Sequence, residues 1–368
     1  MVLSAAKTAH SPDVITAVRE KLSCGERLDA RDGVALFEHQ DLLSIGQLAN
    51  QMREKWHGDV TYFNRNLHLN ATNICEADCV FCSFARLESH MPNAYAMNHT
   101  QALEWISNRY SPGMTEIHIV NGLNPDLEFD YYLTLLKLIR QNFPTLHIKA
   151  FTAVEIHYFS KKFSLSYEQI LRELIGAGLG SLPGGGAEIF AHRARKKLCR
   201  DKVDAAGWLD VHRVAHRLGL KSNCTMLYGT IETTQEKVDH LLALRELQDE
   251  SRGFQAFIPL AYHPENNRLG RIGAPSAAED LKTIAISRLL LDNIPHIKAY
   301  WVMLGVKTAQ LAQRFGANDL DGTVTEEKVY RMAGARAPES MSVDELKKLI
   351  VAIGRVPVER TTTYEVVG

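Results

Sequence analysis

No apolar run of about 18 residues, the length a membrane-spanning helix needs, occurs in the chain. Net charge is also nearly absent, because 42 Lys and Arg stand against 43 Asp and Glu, a formal balance of −1. No basic run is longer than Arg195-Lys196-Lys197, so the electrostatic footprint of a nucleic-acid binder is missing. Neither a repeat of fixed period nor a low-complexity linker is visible. Cysteines number only six in 368 residues and are unevenly spread, which excludes a disulfide framework. The opening residues Met1-Val2-Leu3-Ser4-Ala5-Ala6-Lys7 turn polar too early to resemble a signal peptide. The expectation is a cytoplasmic protein with no membrane or nucleic-acid partner, acting on a small neutral or acidic molecule.

What remains is an ordinary globular balance, 45% hydrophobic and 23% charged. A chain of this length buries roughly three quarters of its unfolded surface and needs no covalent staples. Residues 11–57 read as helical, with Ser11 as N-cap and Pro12 at the first helical position. The stripe Leu42, Leu43, Ile45, Leu48, Met52 supports that reading. From about residue 60 strands and helices alternate. Strands are expected over 66–72, 115–120, 145–151, 180–183, 220–227, 254–260 and 297–304. Helices are expected over 97–109, 130–142, 166–177, 187–198, 204–218, 235–249 and 277–293. Such alternation implies parallel strands joined by crossover helices, and six or seven of them favour a full or partial β/α barrel. The expected division is an N-terminal helical extension over 1–58, a barrel core over 59–304, and a C-terminal segment over 305–368 that is helical to residue 353 and ends in an extended tail.

In such barrels the site is built from loops at the C-terminal ends of strands. The first of these loops reads Asn73-Ile74-Cys75-Glu76-Ala77-Asp78-Cys79-Val80-Phe81-Cys82. Three thiols spaced Cys-x3-Cys-x2-Cys can wrap one polynuclear centre. A cubane iron–sulfur cluster normally takes four thiolates, so three leave one iron open to chelate another molecule. Zinc is the competing structural reading, but it needs a fourth ligand, and Cys199 and Cys224 stand far along the chain. Cys24, Cys199 and Cys224 read as ordinary buried or half-buried thiols.

The cysteine spacing after the first strand, with Phe81 just before the last cysteine, resembles the signature of the radical S-adenosylmethionine (SAM) superfamily. The resemblance implies a TIM-like barrel, full or partial, and a [4Fe–4S] cluster on Cys75, Cys79 and Cys82. It also implies SAM as cofactor and an electron donor of flavodoxin or ferredoxin type. Asn121-Gly122, directly after a strand, resembles the superfamily's element that contacts the methionine moiety; a plain strand-ending turn is the alternative. Gly184-Gly185-Gly186 precedes Glu188, but the Lys-Ser/Thr pair of a phosphate loop is missing. Glu188 suits an ammonium or a ribose hydroxyl, or simply the helix dipole.

Three stretches, 147–156, 182–190 and 318–332, are similar to the futalosine-route menaquinone enzymes and their deazaflavin-synthase relatives. Within that branch, Asn318-Asp319-Leu320-Asp321-Gly322-Thr323 and Leu182-Pro183-Gly184-Gly185-Gly186 resemble the aminofutalosine synthases. Thr230 departs from the pattern, where a His is expected. The resemblance implies a transferase that adds the 5′-deoxyadenosyl radical to an enol ether carrying two carboxylates. Candidate substrate contacts are Lys149, His263, Asn266, Asn318 and Asp319, with His263 also the candidate catalytic residue. A hydrogen-abstracting dehypoxanthine futalosine cyclase is the second reading, and a zinc- or cluster-binding protein without enzymatic activity the third.

Overall fold

A computed structural model describes residues 14–270 and 272–367. The Ser11-Pro12 helix start therefore lies outside the described residues. Three helices follow, Val14–Ser23, Ala30–Glu38 and Leu42–His57. Asp29 closes a capping box with Asp32, and Asp41 caps the third helix through the Ser44 amide. The third helix packs on the helix Ala277–Leu290, burying Ile45 and Leu48.

Ten strands are present among the described residues: β1 Val60–Asn64, β2 Asn66–Leu69, β3 Glu116–Ile119, β4 His147–Ala150, β5 Ser181–Leu182, β6 Lys221–Tyr228, β7 Phe254–Ala261, β8 His296–Ile297, β9 Asp319–Gly322 and β10 Val356–Glu359. Strands β2 to β8 form one parallel sheet in chain order, the topology that repeated strand–helix units dictate. Strands β10, β1 and β9 form a second, three-stranded parallel sheet.

Residues 318–325 tie the two edges of the large sheet together. On one side Asn318 N donates to Ile297 O and Ala299 N donates to Asp319 O. On the other, His68 N donates to Thr325 O and Thr325 N to Asn66 O. The seven strands thus curl into a TIM-like barrel whose seam is this segment. Its interior is unusual. Leu67, Leu69, Ile117, Ile119 and Ile148 are buried in the hydrophobic core, but they alternate with Asn66, His68, Glu116, His118 and Lys149. In a strand, alternate residues face opposite sides. His68 and His118 line the barrel's central cavity, so the inward face is polar where branched apolar side chains usually fill a barrel.

Four expectations need correction. The extended segment at 297–304 is a two-residue strand followed by the helix Trp301–Leu304. A short apolar run fits either form, and the Trp301 indole settles here by donating to Gly322 O at 2.9 Å. The helix expected from 187 begins at His192, because Glu188 takes a left-handed φ of 46°. No helix is expected between the strand at 145–151 and the helix at 166–177, yet Ala153–Phe163 is one, with a capping box between Thr152 and Glu155. Finally, 305–353 is not continuously helical. Strand β9 interrupts it, carrying two buried acids whose counter-ions come from other segments.

Candidate functional site

The cysteine loop is shaped by its backbone before any cofactor is considered. Cys75 N donates to Arg86 O and Arg86 N to Asn73 O, a parallel bridge across the loop, and Cys82 N donates to Cys79 O, closing a tight turn. The Arg86 guanidinium donates to the carbonyls of Ser83, Phe84 and Ala85 at 3.0–3.2 Å. The loop is also anchored outward, through Val80 N to Leu198 O and Arg268 N to Val80 O. All three thiols then face one cavity of about 270 Å³.

That cavity is lined from the C-terminal ends of the barrel strands. Besides Cys75, Cys79, Phe81 and Cys82, its wall includes Asn121, Gly122, Glu188 and His263. Four predicted residues from distant parts of the chain thereby join the cysteine motif. Asn121 and Gly122 follow β3. The Asn121 side chain accepts from Ala71 N at 2.7 Å, and the Asn121 backbone N–H donates to Glu155 Oε1 at 3.1 Å. A Cβ on Gly122 would collide with the Ile74 carbonyl oxygen, so the cysteine loop can pass only because this residue is glycine. Glu188 accepts from Lys202 Nζ at 2.7 Å, and Lys202 lies 5.4 Å from the Phe81 ring centroid. His263 follows β7 and bonds through Nε2 with Met303 O at 3.0 Å, and burial pushes its imidazole below the usual range.

Four candidates do not line the cavity. Lys149 is buried and paired with Glu116 at 2.6 Å. Asn266 is exposed and donates to Met332 O at 2.8 Å. Asn318 accepts from Arg288 Nη2 and Ile297 N, and its amide group meets His296 Nδ1. Asp319 is bonded to Arg360 at 2.5 Å. These four hold the frame. The Thr230 departure is equally remote, since Thr230 and Gly229 both bond Glu232 in their own turn. Cys24 is exposed rather than buried, whereas Cys199 and Cys224 are buried as expected.

The cavity also gathers residues that the motif reading passed over. Glu155 and Glu327 line it, and burial raises both carboxyls to about 7, against hydrogen bonds that pull them down. His68, His118 and Asp321 lie on its wall as well. The signal for Glu155 was in the sequence, as Thr152-x-x-Glu155 ahead of an apolar run. That for His68 and His118 was the period-two polar pattern of β2 and β3.

The donor set fits a [4Fe–4S] cluster. Burial pushes the Cys75 and Cys79 thiols above their usual range, so strongly bound cations are needed to hold them as thiolates. No fourth cysteine lines the cavity among the described residues, which leaves a closed four-thiolate zinc site without its last ligand.

Comparison with known proteins agrees. Residues 69–244 match the model of the radical SAM superfamily, and residues 251–368 match the CofH/MqnC C-terminal region. Over 351 residues the chain is 45% identical to an aminodeoxyfutalosine synthase of Thermus thermophilus, covering 94% of each chain. This chain belongs to the radical SAM superfamily. Within that superfamily it is also 36% identical to a cyclic dehypoxanthine futalosine synthase of Halalkalibacterium halodurans, over 96% of this chain and 95% of that one. Among solved structures, methylornithine synthase superposes with a TM-score of 0.74 over 92% of this chain and 97% of that one. At 16% identity it shares the radical SAM fold and shows nothing further.

Proposed function

We propose that this radical SAM enzyme adds the 5′-deoxyadenosyl radical to the enol-ether double bond of 3-[(1-carboxyvinyl)oxy]benzoate. Rearrangement and loss of the carboxyl carbon then give 6-amino-6-deoxyfutalosine for menaquinone biosynthesis. The observation that carries this reading is the full-length identity of 45% to an aminodeoxyfutalosine synthase, against 36% to the cyclic dehypoxanthine futalosine synthase.

When bound, the [4Fe–4S] cluster supplies the electron that cleaves SAM to methionine and the 5′-deoxyadenosyl radical. Cys75, Cys79 and Cys82 are the thiolates that would hold it. Asn121 and Gly122 face the same cavity, where the Asn121 side-chain amide also lies 3.4 Å from Glu155 Oε1 and is held in one orientation. They would receive the methionine end of SAM. Glu188, pinned by Lys202, would accept from the cofactor's ammonium or ribose. Phe81 packs beside that pair. His263 is the candidate substrate contact that remains on the cavity wall. The apolar part of the cavity wall would help keep water from a radical that would otherwise be quenched. The electron is supplied by a flavodoxin- or ferredoxin-type protein, and the reaction takes place in the cytoplasm.

Anaerobic turnover with the enol ether, SAM and a reductant tests the reading. The expected product has the mass of 6-amino-6-deoxyfutalosine and retains the adenine. Free 5′-deoxyadenosine as the main nucleoside product would favour the hydrogen-abstracting cyclase instead.

A further inference from the structure

His68 on β2 and His118 on β3 stand opposite each other in register. Their rings are stacked, with centroids 4.7 Å apart and planes 7° from parallel. Both line the cavity, and both are half-buried there. The Nε2 atom of His68 is buried and has no hydrogen-bond partner among the described residues. Buried polar atoms are nearly always paired, so this one points to a ligand partner, an acceptor when Nε2 carries the ring proton.

The charges around the pair restrict what that acceptor is. Glu116 and Lys149 are paired at 2.6 Å, and Asp321 and Lys298 at 3.3 Å. These four groups face the imidazoles and sum to zero. Neither lysine lines the cavity, so both cations are committed to carboxylates of the frame. Burial holds both imidazoles below their ordinary range and therefore neutral. What a ligand meets there is a pair of imidazole edges, able to donate N–H and, on taking up a proton, to match one negative charge, beside the Asp321 carboxylate that Lys298 neutralises.

Position along the barrel then orients the ligand. His68 lies within β2, while Cys75, Cys79 and Cys82 lie on the loop after that strand. The histidines therefore occupy the deep end of the cavity and the cysteines its mouth. The carbon attacked by the adenosyl radical must lie toward the mouth. The benzene ring separates that carbon from the second carboxylate, which must lie away from it.

We propose that His68 and His118 form the subsite for the ring carboxylate of the substrate, with an imidazole N–H donating to a carboxylate oxygen. The substrate then stands with its benzoate end deep in the barrel and its enol ether toward the cysteines. The carboxyl group lost in the reaction lies near the mouth, clear of this subsite. This assignment rests on the reaction proposed above.

Calorimetric titration of the anaerobically reconstituted full-length protein, with SAM present, tests it. The two probes are 3-[(1-carboxyvinyl)oxy]benzoate and its analogue without the ring carboxylate, 2-phenoxyacrylate. The wild-type protein is expected to prefer the first by about tenfold or more, the scale of one hydrogen bond to a charged group. His68→Leu should weaken the first probe by about tenfold to a hundredfold and the second by less than about twofold. His68→Gln, which keeps an amide donor, should recover part of the loss. Unchanged binding of 2-phenoxyacrylate shows that the variant is folded. Equal losses for both probes, or none for the first, would overturn the subsite. Wild-type protein that binds and converts the enol ether without any His68 effect overturns the subsite alone. Wild-type protein that binds neither probe overturns the reaction reading, and the subsite with it.

Discussion

Asp319 Oδ2 lies 2.5 Å from Arg360 Nε, and both side chains are buried. The pair joins strand β9, part of the barrel seam, to the segment just beyond β10. Asp319 Oδ1 also accepts from Asp321 N at 2.6 Å, which orients the acid that does reach the cavity. Asp319 thus acts as a structural tie rather than as a substrate contact.

Removing one partner of such a pair leaves an uncompensated buried charge. Asp319→Ala is expected to lower unfolding stability by about 3–5 kcal/mol, measured by denaturant titration. A variant of wild-type stability with weakened substrate binding would show that Asp319 touches the substrate after all.

Cysteine replacement separates ligands from bystanders. Cys79→Ala should abolish the cluster, read as iron and sulfide per chain and as the visible absorption after anaerobic reconstitution. Cys199→Ala should leave iron content unchanged, because Cys199 does not line the cavity. Equal iron loss in both would place a ligand wrongly.

Gly122→Ala forces a methyl group against the Ile74 carbonyl, which is backbone of the cysteine loop and cannot rotate away. Overpacking of this kind costs about 1–3 kcal/mol. The loop should move, so iron incorporation falls together with activity. Full iron content and full turnover would mean that the loop tolerates the shift.

Asp280 supplies a pH signature far from the chemistry. Its carboxyl accepts from Tyr228 Oη at 2.7 Å, and burial raises it from 3.8 to about 6. The folded state therefore holds a proton that the unfolded chain releases near pH 4. This contribution to stability is fully present below about pH 4 and is lost as pH rises through about 6. Relative to Asp280→Asn, the wild-type protein should lose at most about 1.4 kcal/mol per pH unit across that window. Parallel stability curves for the two proteins between pH 4 and 6 would refute this.

Much of the architecture was legible along the chain. Alternating strand and helix patterns predicted the parallel sheet, and all seven of its strands overlap the expected positions. The cysteine motif is local, so its spacing alone supported a cluster with an open iron over a zinc site. Strand β9 was not legible. Asp319-Leu320-Asp321-Gly322 has a single apolar side chain between two acids, and those acids are buried in a strand because Arg360 and Lys298, on other segments, neutralise them. Strand β1 was missed for a related reason, because its partners β9 and β10 lie some 250 residues or more away.

The substrate contacts divide along the same line. Lys149 is chemically suited to a carboxylate, and nothing in its neighbours 147–151 shows that Glu116 on the adjacent strand already claims it. Asn318 and Asp319 form a recognisable motif, but only their partners Arg288, His296 and Arg360 reveal that it belongs to the frame. Cys75, Cys79 and Cys82 needed no partner to be read, since eight consecutive residues contain all three donors. The sequence by itself determined the barrel class, the cluster motif and the family. Tertiary structure decided which charged groups are free to meet a ligand, because a buried charge takes its meaning from whichever segment folds against it.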